Sequence, residues 1–585
     1  MRTMKRATSV FSLAFVALLI WSGVAGAQSW LTAPKPPRAF NAGSVALQLT
    51  DGTIMVQENM SSTWWKLTPD INGDYNTGTW SELAQSKAFD THGNIVDYAP
   101  SEFASAVLPD GRVIVMGGEY LADAGVTGEA DTTEGSLFDP TAGPTGSWTP
   151  VRPPPGWTKI GDAASVVLPN YGPNGILPGG TFMLANCCDY PAQAALFDEE
   201  VALNGFLDES PWIVLSPTFG YAGKYDSNNE EGWTLLPDGS VLTVDTFVHA
   251  PTNDHVPTIP NNTEIYLAAS IETGGPPAGG IWIPAGPTPE PLSDFPGLYL
   301  PEICTPPEGN KNEMGPAVLR PDGTVFATGA NGCAGKGRCA GQTAAGHTAI
   351  YDTESGTWTQ TEDIPDCNDM SDAPAALLSD GNVLVQASPG QDMGSSKFYE
   401  FEFRTNTFFS GEIPPPPNFN PTNSESGRML VVASGHVFYM HKSDSTDEMG
   451  FYVPKGTYAP SWAPIAFPVN GDCGVNCVVL GHTYTISGTQ FNGLSQGAAY
   501  GDDSQSATNY PLVRIENCAT KHKFFARTHD FPMGVATGLF TVVTTEFDVS
   551  PEMETGPSNL VVIANGIPSE PAGGSCATKV IVPQL

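Results

Sequence analysis

Five acidic side chains recur at one position of a repeated hydrophobic pattern. Counting six residues back from the leucine that closes the first hydrophobic stretch of each copy gives Glu102, Asp162, Glu230, Glu313 and Asp372. Like charges gathered at one place repel each other, so such a column requires a bound cation, an arginine or lysine, or raised carboxyl pKa values. All-oxygen ligands suit a hard cation such as Ca²⁺. Two carboxylates across a cleft could instead serve as general acid and base in glycoside hydrolysis.

We therefore predict that all five acids bind a divalent cation, Ca²⁺ or another, and that Glu102, Glu230 and Asp372 are the catalytic candidates if the protein is an enzyme. Asp162 and Glu313 are predicted to contact the ligand, together with the nearby Glu231 and Glu425. The alternative is structural, because Asp and Glu side chains commonly accept backbone N–H bonds in turns.

Aromatic residues flank the acids and could stack on sugar rings. Tyr120, Tyr190 and Trp233 are the candidates, although the default for Trp233, on a predicted inner strand, is burial in the core. Aromatic rings beside carboxylates predict a carbohydrate or another polar ligand.

The acids must be positioned by the repeat itself, which is a hydrophobic strand, an Asp-Gly turn and a second hydrophobic strand. Glycine adopts the positive φ of such a tight turn without steric cost. Five regular copies and two degenerate ones are present: SVALQLTDGTIMVQE (44–58), ASAVLPDGRVIVMGG (104–118), WTLLPDGSVLTVD (233–245), PAVLRPDGTVFATG (316–329), PAALLSDGNVLVQA (374–387), ASVVLPNYGPNGILPGGTFMLAN (164–186) and RMLVVASGHVFYMH (428–441).

A third strand and usually a tryptophan-bearing fourth strand follow each hairpin, with Trp80, Trp148, Trp282 and Trp358 as the marker residues. Four strands repeated seven times predict a seven-bladed kelch-type β-propeller. An array of β-sandwiches is the alternative, but the units are short and alike. In a propeller, residues just before each innermost strand surround the mouth of the central channel. The column of acids is therefore expected there.

The two ends of the repeat region have separate predictions. QSWLTA, around Trp30, is another copy of the fourth-strand pattern, and we expect it to pair with the last blade and close the ring. The repeat stops near residue 467. Residues 468–585 carry short strands typical of an immunoglobulin-like (early-set) β-sandwich, which leaves 28–467 for the propeller.

Residues 1–27 resemble a secretory signal peptide, with basic residues, an apolar run and the small residues SGVAGA. Its removal takes the formal net charge from −37 to −40. A surface this acidic disfavours nucleic acid as a partner, and no later stretch has the roughly 18 apolar residues that span a membrane. The alternative is an uncleaved anchor. We expect a secreted protein, extracellular or periplasmic.

Ten cysteines in an exported chain indicate disulfides. The spacing offers short loops for Cys333 with Cys339 and for Cys473 with Cys477, and Cys518 with Cys576 could staple the C-terminal region. Cys304 could link to Cys367. The adjacent Cys187 and Cys188 either bond elsewhere or form a strained ring. The candidate disulfide cysteines are Cys187, Cys188, Cys333, Cys339, Cys473, Cys477, Cys518 and Cys576.

The LPDG hairpins, followed by YGDDSQSATNYPLVRI and NLVVIANGIPS, resemble the galactose oxidase and glyoxal oxidase group of secreted kelch propellers. The resemblance covers nearly all of the mature chain and implies a copper site built from two tyrosines and two histidines. The four ligand positions fall on Glu102, Glu425, Ser426 and Gln505, so none of the ligands is retained. Without imidazole or phenolate, Cu(II) loses the donors it prefers, and copper is not expected.

The leading hypothesis is therefore an acidic, cation-loaded funnel that binds, and if catalytic hydrolyses or cleaves by elimination, a carbohydrate or other polar ligand. The alternatives are a copper-radical oxidase and a non-catalytic binding or adhesion module.

Overall fold

The computed structural model describes most of the chain. The described residues are 29–38, 41–122, 130–169, 180–187, 192–198, 210–215, 224, 228, 230–246, 262–268, 280–293, 313–330, 346–390, 394–442, 448–501, 505–536 and 542–583. The predicted signal peptide 1–27 lies outside them, as do Tyr190, Cys188, Cys304, Cys333 and Cys339.

Seven four-stranded sheets form the blades of a propeller, and the all-β fold class predicted from the repeat is confirmed. Their strands, in chain order within each of blades 1 to 5, are Ala42–Gln48, Ile54–Glu58, Trp64–Thr68 and Thr79–Glu82; Ala104–Val107, Val113–Met116, Gly135–Asp139 and Ser147–Pro150; Ser165–Leu168, Thr181–Ala185, Ala194–Phe197 and Trp212–Leu215; Thr234–Leu235, Val241–Val244, Thr263–Leu267 and Ile281–Pro284; Ala317–Leu319, Thr324–Thr328, Thr348–Asp352 and Thr357–Gln360.

Blade 6 contains Ala375–Leu377, Val383–Ala387 and Lys397–Phe401, and blade 7 contains Gly427–Val431, Val437–His441 and Gly450–Val453. Each of these two blades takes one further strand from a distant part of the chain. Short 3₁₀ helices occupy Tyr75–Thr77, Pro365–Cys367 and Pro460–Trp462. Two small hairpins pair Lys87–Phe89 with Ile95–Asp97 and Pro100–Ser101 with Tyr120–Leu121.

The Asp-Gly turns have the geometry that their sequence predicts. Gly52, Gly111 and Gly381 have φ values of 80°, 85° and 90°. The aspartate before each glycine accepts a hydrogen bond from the backbone N–H two residues later, as Asp51 does from Thr53 at 3.0 Å. The turn residues therefore fix where each inner strand ends.

The repeated tryptophan of the outermost strand joins neighbouring blades. Its indole N–H donates to an oxygen of the preceding blade or of the segment that follows it, at 2.6 to 3.1 Å. The pairs are Trp30 with Pro414, Trp80 with Pro34, Trp148 with Ala84, Trp212 with Arg152, and Trp358 with the hydroxyl of Thr263. The tryptophan pattern thus marks inter-blade contacts. Trp212 of blade 3 belongs to this set and was missing from the sequence prediction.

The ring closes as predicted. Ser29–Thr32 pairs antiparallel with Gly450–Val453 and is the outermost strand of blade 7. Trp30 packs edge-on against Phe398, Tyr439 and Tyr452, with ring centroids 5.3, 5.8 and 5.1 Å away. An N-terminal strand therefore completes a blade begun by the last repeat.

Blade 6 also receives an additional strand, but on its inner side, next to the channel, whereas the added strand of blade 7 is the outermost one. Ala498–Ala499, from the C-terminal region, pairs with Ala375 and Ala376 of the innermost strand. Further contacts line the channel: the Leu235 N–H donates to the Gln496 side chain at 2.8 Å, and the Ser506 hydroxyl donates to the Ala46 carbonyl at 3.0 Å. Described residues 494–501 and 505–510 thus form a finger that fills the centre of the propeller.

The C-terminal region is a separate β-structure with its own apolar core. Its strands are Ile465–Ala466, Asn470–Gly471, Gly474–Val475, Cys477–Val479, Thr483–Thr489, Leu512–Asn517, Lys523–His529, Val543–Asp548, Gly556–Ala564, Ile567–Pro568 and Thr578–Ile581. It packs on the turn side of the propeller, where Arg527 donates to the Asp110 carbonyl at 2.6 Å. The column of acids is therefore at the opposite end of the channel.

Two predicted disulfides are confirmed, Cys473–Cys477 and Cys518–Cys576. Cys187 and Cys367 are disulfide-bonded as well. Cross-links of this kind persist in oxidising compartments and fit an extracellular protein. Among the described residues, no helix has the length and apolar character needed to cross a membrane.

Candidate functional site

The five acids of the column each lie two to four residues before an innermost strand, as the repeat predicts. Asp162 and Glu313 are buried, Glu102 is almost buried, and Glu230 and Asp372 are half-buried. Three of them have left-handed backbones, with φ of 49° at Glu102, 53° at Glu230 and 43° at Asp372. Such values cost a non-glycine residue about 1–2 kcal/mol. Residues held in this conformation cluster at functional sites.

Blade 1 lacks an acid in the column because its backbone leaves no room for one. A Cβ on Gly43 would lie 2.5 Å from the carbonyl oxygen of Gln57. Glycine is therefore required by close packing at this position, and the next residue, Ser44, supplies polar groups to the neighbouring blades instead.

The tip of the central finger lies among the inner-strand starts. A Cβ on Gly501 would lie 2.5 Å from Asp372 Oδ1, and one on Gly232 would lie 2.4 Å from the Gly501 carbonyl. The Tyr500 hydroxyl donates to the Glu425 carbonyl at 2.8 Å. Tyr500 and Gly501 thus contact the starts of blades 4, 6 and 7 at once.

Glu102 is neutralised by two cations of blade 7. Its carboxylate accepts hydrogen bonds from Arg428 and Lys442, and the Ser101 hydroxyl donates to it at 3.2 Å. Although burial opposes ionisation, the nearby Lys442 and Arg428 charges lower the pKa of Glu102 to about 2. The compensation that the column was predicted to need is therefore supplied, at this position, by arginine and lysine.

Arg428 is the hub of this cluster. Its Nε donates to the Ser44 carbonyl at 2.6 Å, and its guanidinium carbon lies 3.8 Å from the ring centroid of Tyr500. Burial raises the pKa of the Tyr500 phenol well above its usual value, despite the opposing effect of Arg428. Tyr500 therefore stays a neutral phenol.

These residues were missed by the sequence prediction, although the signal was present. Gly427 pairs with His441 in the blade 7 hairpin, so Arg428 at its start and Lys442 just past its end fall at one end of the blade. Burial, with the Arg428 and Lys442 charges, lowers the pKa of His441 to about 4, so this buried imidazole is neutral at neutral pH.

Glu231 belongs to a second ionic cluster, beneath blade 4. Lys224 Nζ lies 2.6 Å from Glu231 Oε1, 3.5 Å from Glu264 and 3.8 Å from Asp245, and these side chains are almost completely buried. The Thr243 hydroxyl donates to Glu231 at 2.9 Å. Burial raises the pKa of Glu231 to about 7 in spite of the lysine. Glu231 is fully buried, and its contact with a ligand stays a prediction.

The aromatic candidates have different environments. Trp233 is 3% exposed and packs on Trp282 with ring centroids 5.8 Å apart. Trp233 is therefore packed in the core, as is the default for an inner-strand aromatic, and its contact with a ligand stays a prediction. Tyr120 is half-buried and pairs with Ser101, next to Glu102. It keeps a place at the mouth of the channel, as does the half-buried Glu425.

A cavity of about 900 Å³ lies away from the channel, along the outer edge of blade 6. Among its described residues this blade has no regular fourth strand on its outer side, where isolated bridges join Phe398 to Ile413 and Phe401 to Phe408. Phe409 and Phe419 line the cavity and are half-buried. Its rim also carries Glu362, Asp366 and Glu412. The volume is in the range of small-molecule sites.

Within the described residues, one group of three potential metal ligands has its ligand atoms within 4.8 Å of one another, and it lies in the C-terminal region. It consists of His529, Asp530 and Glu546 and includes no member of the column. Binding of a cation by the five column acids remains a prediction.

No family model and no curated protein sequence matches the chain. Solved structures do match. One is described as a fungal alcohol oxidase of the AA5 family in complex with copper, with 15% identity and a TM-score of 0.44, covering 93% of this chain and 98% of the other. Another is the extracellular domain of a putative one-component system from B. thetaiotaomicron, with 9% identity and a TM-score of 0.37, covering 93% of this chain and 57% of the other.

Proposed function

We propose that the protein is an exported binding protein that holds a neutral, polyhydroxylated ligand of the carbohydrate class at the open mouth of the propeller channel. The observation that carries the proposal is the left-handed backbone shared by the half-buried Glu230 and Asp372. The chain retains a conformational cost at both positions where glycine would remove it. Asp372 packs against Gly501 of the finger. Gly232, two residues after Glu230, packs against the same glycine.

The chemistry of these groups fits hydroxyl ligands. Ionised carboxylates accept short, charge-assisted hydrogen bonds from sugar hydroxyls. Glu102 is excluded from this role because Arg428 and Lys442 occupy its oxygens. The same two cations would repel a metal ion there. A divalent cation held by the other acids of the column, Asp162, Glu230, Glu313 and Asp372, stays a proposal, and it predicts that Ca²⁺ strengthens ligand binding.

Copper chemistry finds no support in the groups near this site. The resemblance to galactose and glyoxal oxidases implies copper ligands at the positions of Glu102, Glu425, Ser426 and Gln505. Arg428 and Lys442 add positive charge beside Glu102, and Cu(II) prefers imidazole or phenolate donors to such a set.

The experiment is a glycan array probed with the labelled mature chain, once with Ca²⁺ and once with EDTA. We expect binding to a subset of neutral glycans, lost in Glu230→Gln and Asp372→Asn. Absence of binding to any glycan by the wild-type chain, or unchanged binding by both variants, would contradict the proposal.

A second candidate site is the aromatic cavity of blade 6, since ring faces and carboxylates together suit sugars. Phe409→Ala is the matched variant. Loss of glycan binding in Phe409→Ala, with binding retained in Glu230→Gln, would move the ligand from the channel mouth to this cavity.

A further inference from the structure

A histidine and three carboxylates lie close together in the C-terminal region, far along the chain from the column of acids. His529 ends the strand Lys523–His529, and Glu546 and Asp548 lie on the strand Val543–Asp548. His529 pairs directly with Glu546 in the antiparallel register, so these side chains leave the same face of the sheet. Asp530 follows His529 in the chain. The two strands therefore bring His529 and Glu546 together, and Asp530 joins them from the bend after the strand.

The ligand atoms are close enough for one ion. His529 Nδ1 lies 2.6 Å from Asp530 Oδ2 and 3.9 Å from Glu546 Oε2. All three ligand atoms fall within 4.8 Å of one another. Zinc–nitrogen and zinc–oxygen bonds of about 2.0–2.2 Å connect atoms at such separations. The His529 side chain is 16% exposed, and those of Asp530 and Glu546 are 64% and 44% exposed, so the site is open to solvent.

The other imidazole nitrogen also has a carboxylate partner. His529 Nε2 lies 3.3 Å from Asp548 Oδ1. Asp548 is itself held by the Thr483 hydroxyl and by Arg527 Nη1, the latter at 3.3 Å. A metal-binding histidine usually donates its second N–H to a carboxylate in this way. The first nitrogen, Nδ1, faces the carboxylates of Asp530 and Glu546, a position that suits a bound cation.

We propose that His529, Asp530 and Glu546 form a binding site for a divalent transition ion of the Zn²⁺ class, with Asp548 as a positioning residue. One nitrogen and two oxygen donors suit Zn²⁺, and imidazole disfavours Ca²⁺. A water molecule would complete a four-coordinate site. The ion would tie the ends of two strands together beside the propeller contact, where Arg527 donates to the Asp110 carbonyl.

The test is isothermal titration of ZnCl₂ into the EDTA-stripped mature chain, with CaCl₂ as the comparison. We expect one Zn²⁺ per chain. Glu546→Gln should weaken Zn²⁺ binding at least 10-fold, and His529→Gln should abolish it. Asp548→Asn should weaken it 10- to 100-fold, the usual effect of losing such a partner. Far-UV circular dichroism of each metal-free variant checks that the fold is retained.

The chain offers a matched control in the same region. His522 Nδ1 lies 2.7 Å from Glu554 Oε1, a histidine–carboxylate pair that is not part of a three-ligand group among the described residues. His522→Gln should leave Zn²⁺ affinity unchanged. The proposal is overturned if the wild-type chain binds no Zn²⁺, if His522→Gln abolishes binding, or if His529→Gln leaves it intact. In those cases His529 is only hydrogen-bonded to its neighbouring carboxylates.

Discussion

Arg428 lies against the face of Tyr500, its guanidinium carbon 3.8 Å from the ring centroid. The two residues come from blade 7 and from the finger of the C-terminal region, so this contact joins the two halves of the fold inside the channel. Cation–π pairs of this kind contribute up to about 2 kcal/mol when desolvated. The same arginine also binds Glu102 of blade 2. The cluster therefore holds the finger in place.

Glu102→Gln should lower the free energy of unfolding by about 3 kcal/mol, because it leaves Arg428 and Lys442 without the carboxylate that neutralises them. Denaturant unfolding monitored by tryptophan fluorescence measures this loss. Glu425→Gln is the matched control, since Glu425 contacts Arg428 through its backbone carbonyl, and it should cost much less. Equal losses in the two variants would contradict the structural role of Glu102.

The buried Glu231 should make the protein less stable as the pH rises. Its pKa is about 7 in the folded state and close to the ordinary value near 4.3 when unfolded. The folded state therefore binds more protons between these values, and stability falls from about pH 4.5 to 7 by about 3 kcal/mol. Unfolding free energies measured across this range should show the slope in the wild-type chain and lose much of it in Glu231→Gln. The same slope in both proteins would assign it to other groups.

Trp30→Ala should destabilise the ring by about 3 kcal/mol, as truncation of a packed tryptophan does. The change removes three aromatic contacts and the hydrogen bond to the Pro414 carbonyl. Deletion of residues 28–36 should lower the melting temperature further, because the whole closing strand is lost. Calorimetry checks both. Ile95→Ala, at a side chain 63% exposed, is the control, and a comparable loss there would contradict ring closure as the cause.

Glu230→Gly should be more stable than Glu230→Gln by about 1 kcal/mol, since glycine adopts the left-handed backbone without steric cost. Both variants lack the carboxylate, so the difference isolates the backbone term. Asp162 is not one of the described residues with a left-handed backbone. At that position we expect Asp162→Gly to be less stable than Asp162→Asn. Chemical denaturation of the four variants measures both differences. The opposite order at position 230 would remove the argument for a functional strain.

The repeat predicts the blades because each level of the pattern agrees: alternating strands, Asp-Gly turns and an outer tryptophan. Trp30 could be placed on the same grounds. The charge balance of the column could not be predicted from the sequence. Arg428 and Lys442 of blade 7 reach Glu102, at the start of blade 2, only because ring closure places blade 7 beside blade 1. Glu231 illustrates the same limit. Its neighbour Glu230 is half-buried while Glu231 points into the core toward Lys224, and adjacent acids in a sequence do not reveal which one turns inward.

We propose above all that Glu230 and Asp372 hold the ligand. The most direct test is titration calorimetry of the strongest glycan from the array, in the presence of Ca²⁺, against the wild-type chain and Glu230→Gln. Loss of one charge-assisted hydrogen bond, worth about 1.5–3 kcal/mol, predicts a Kd raised about 10- to 100-fold with the fold intact. A Kd unchanged in both Glu230→Gln and Asp372→Asn would contradict the account.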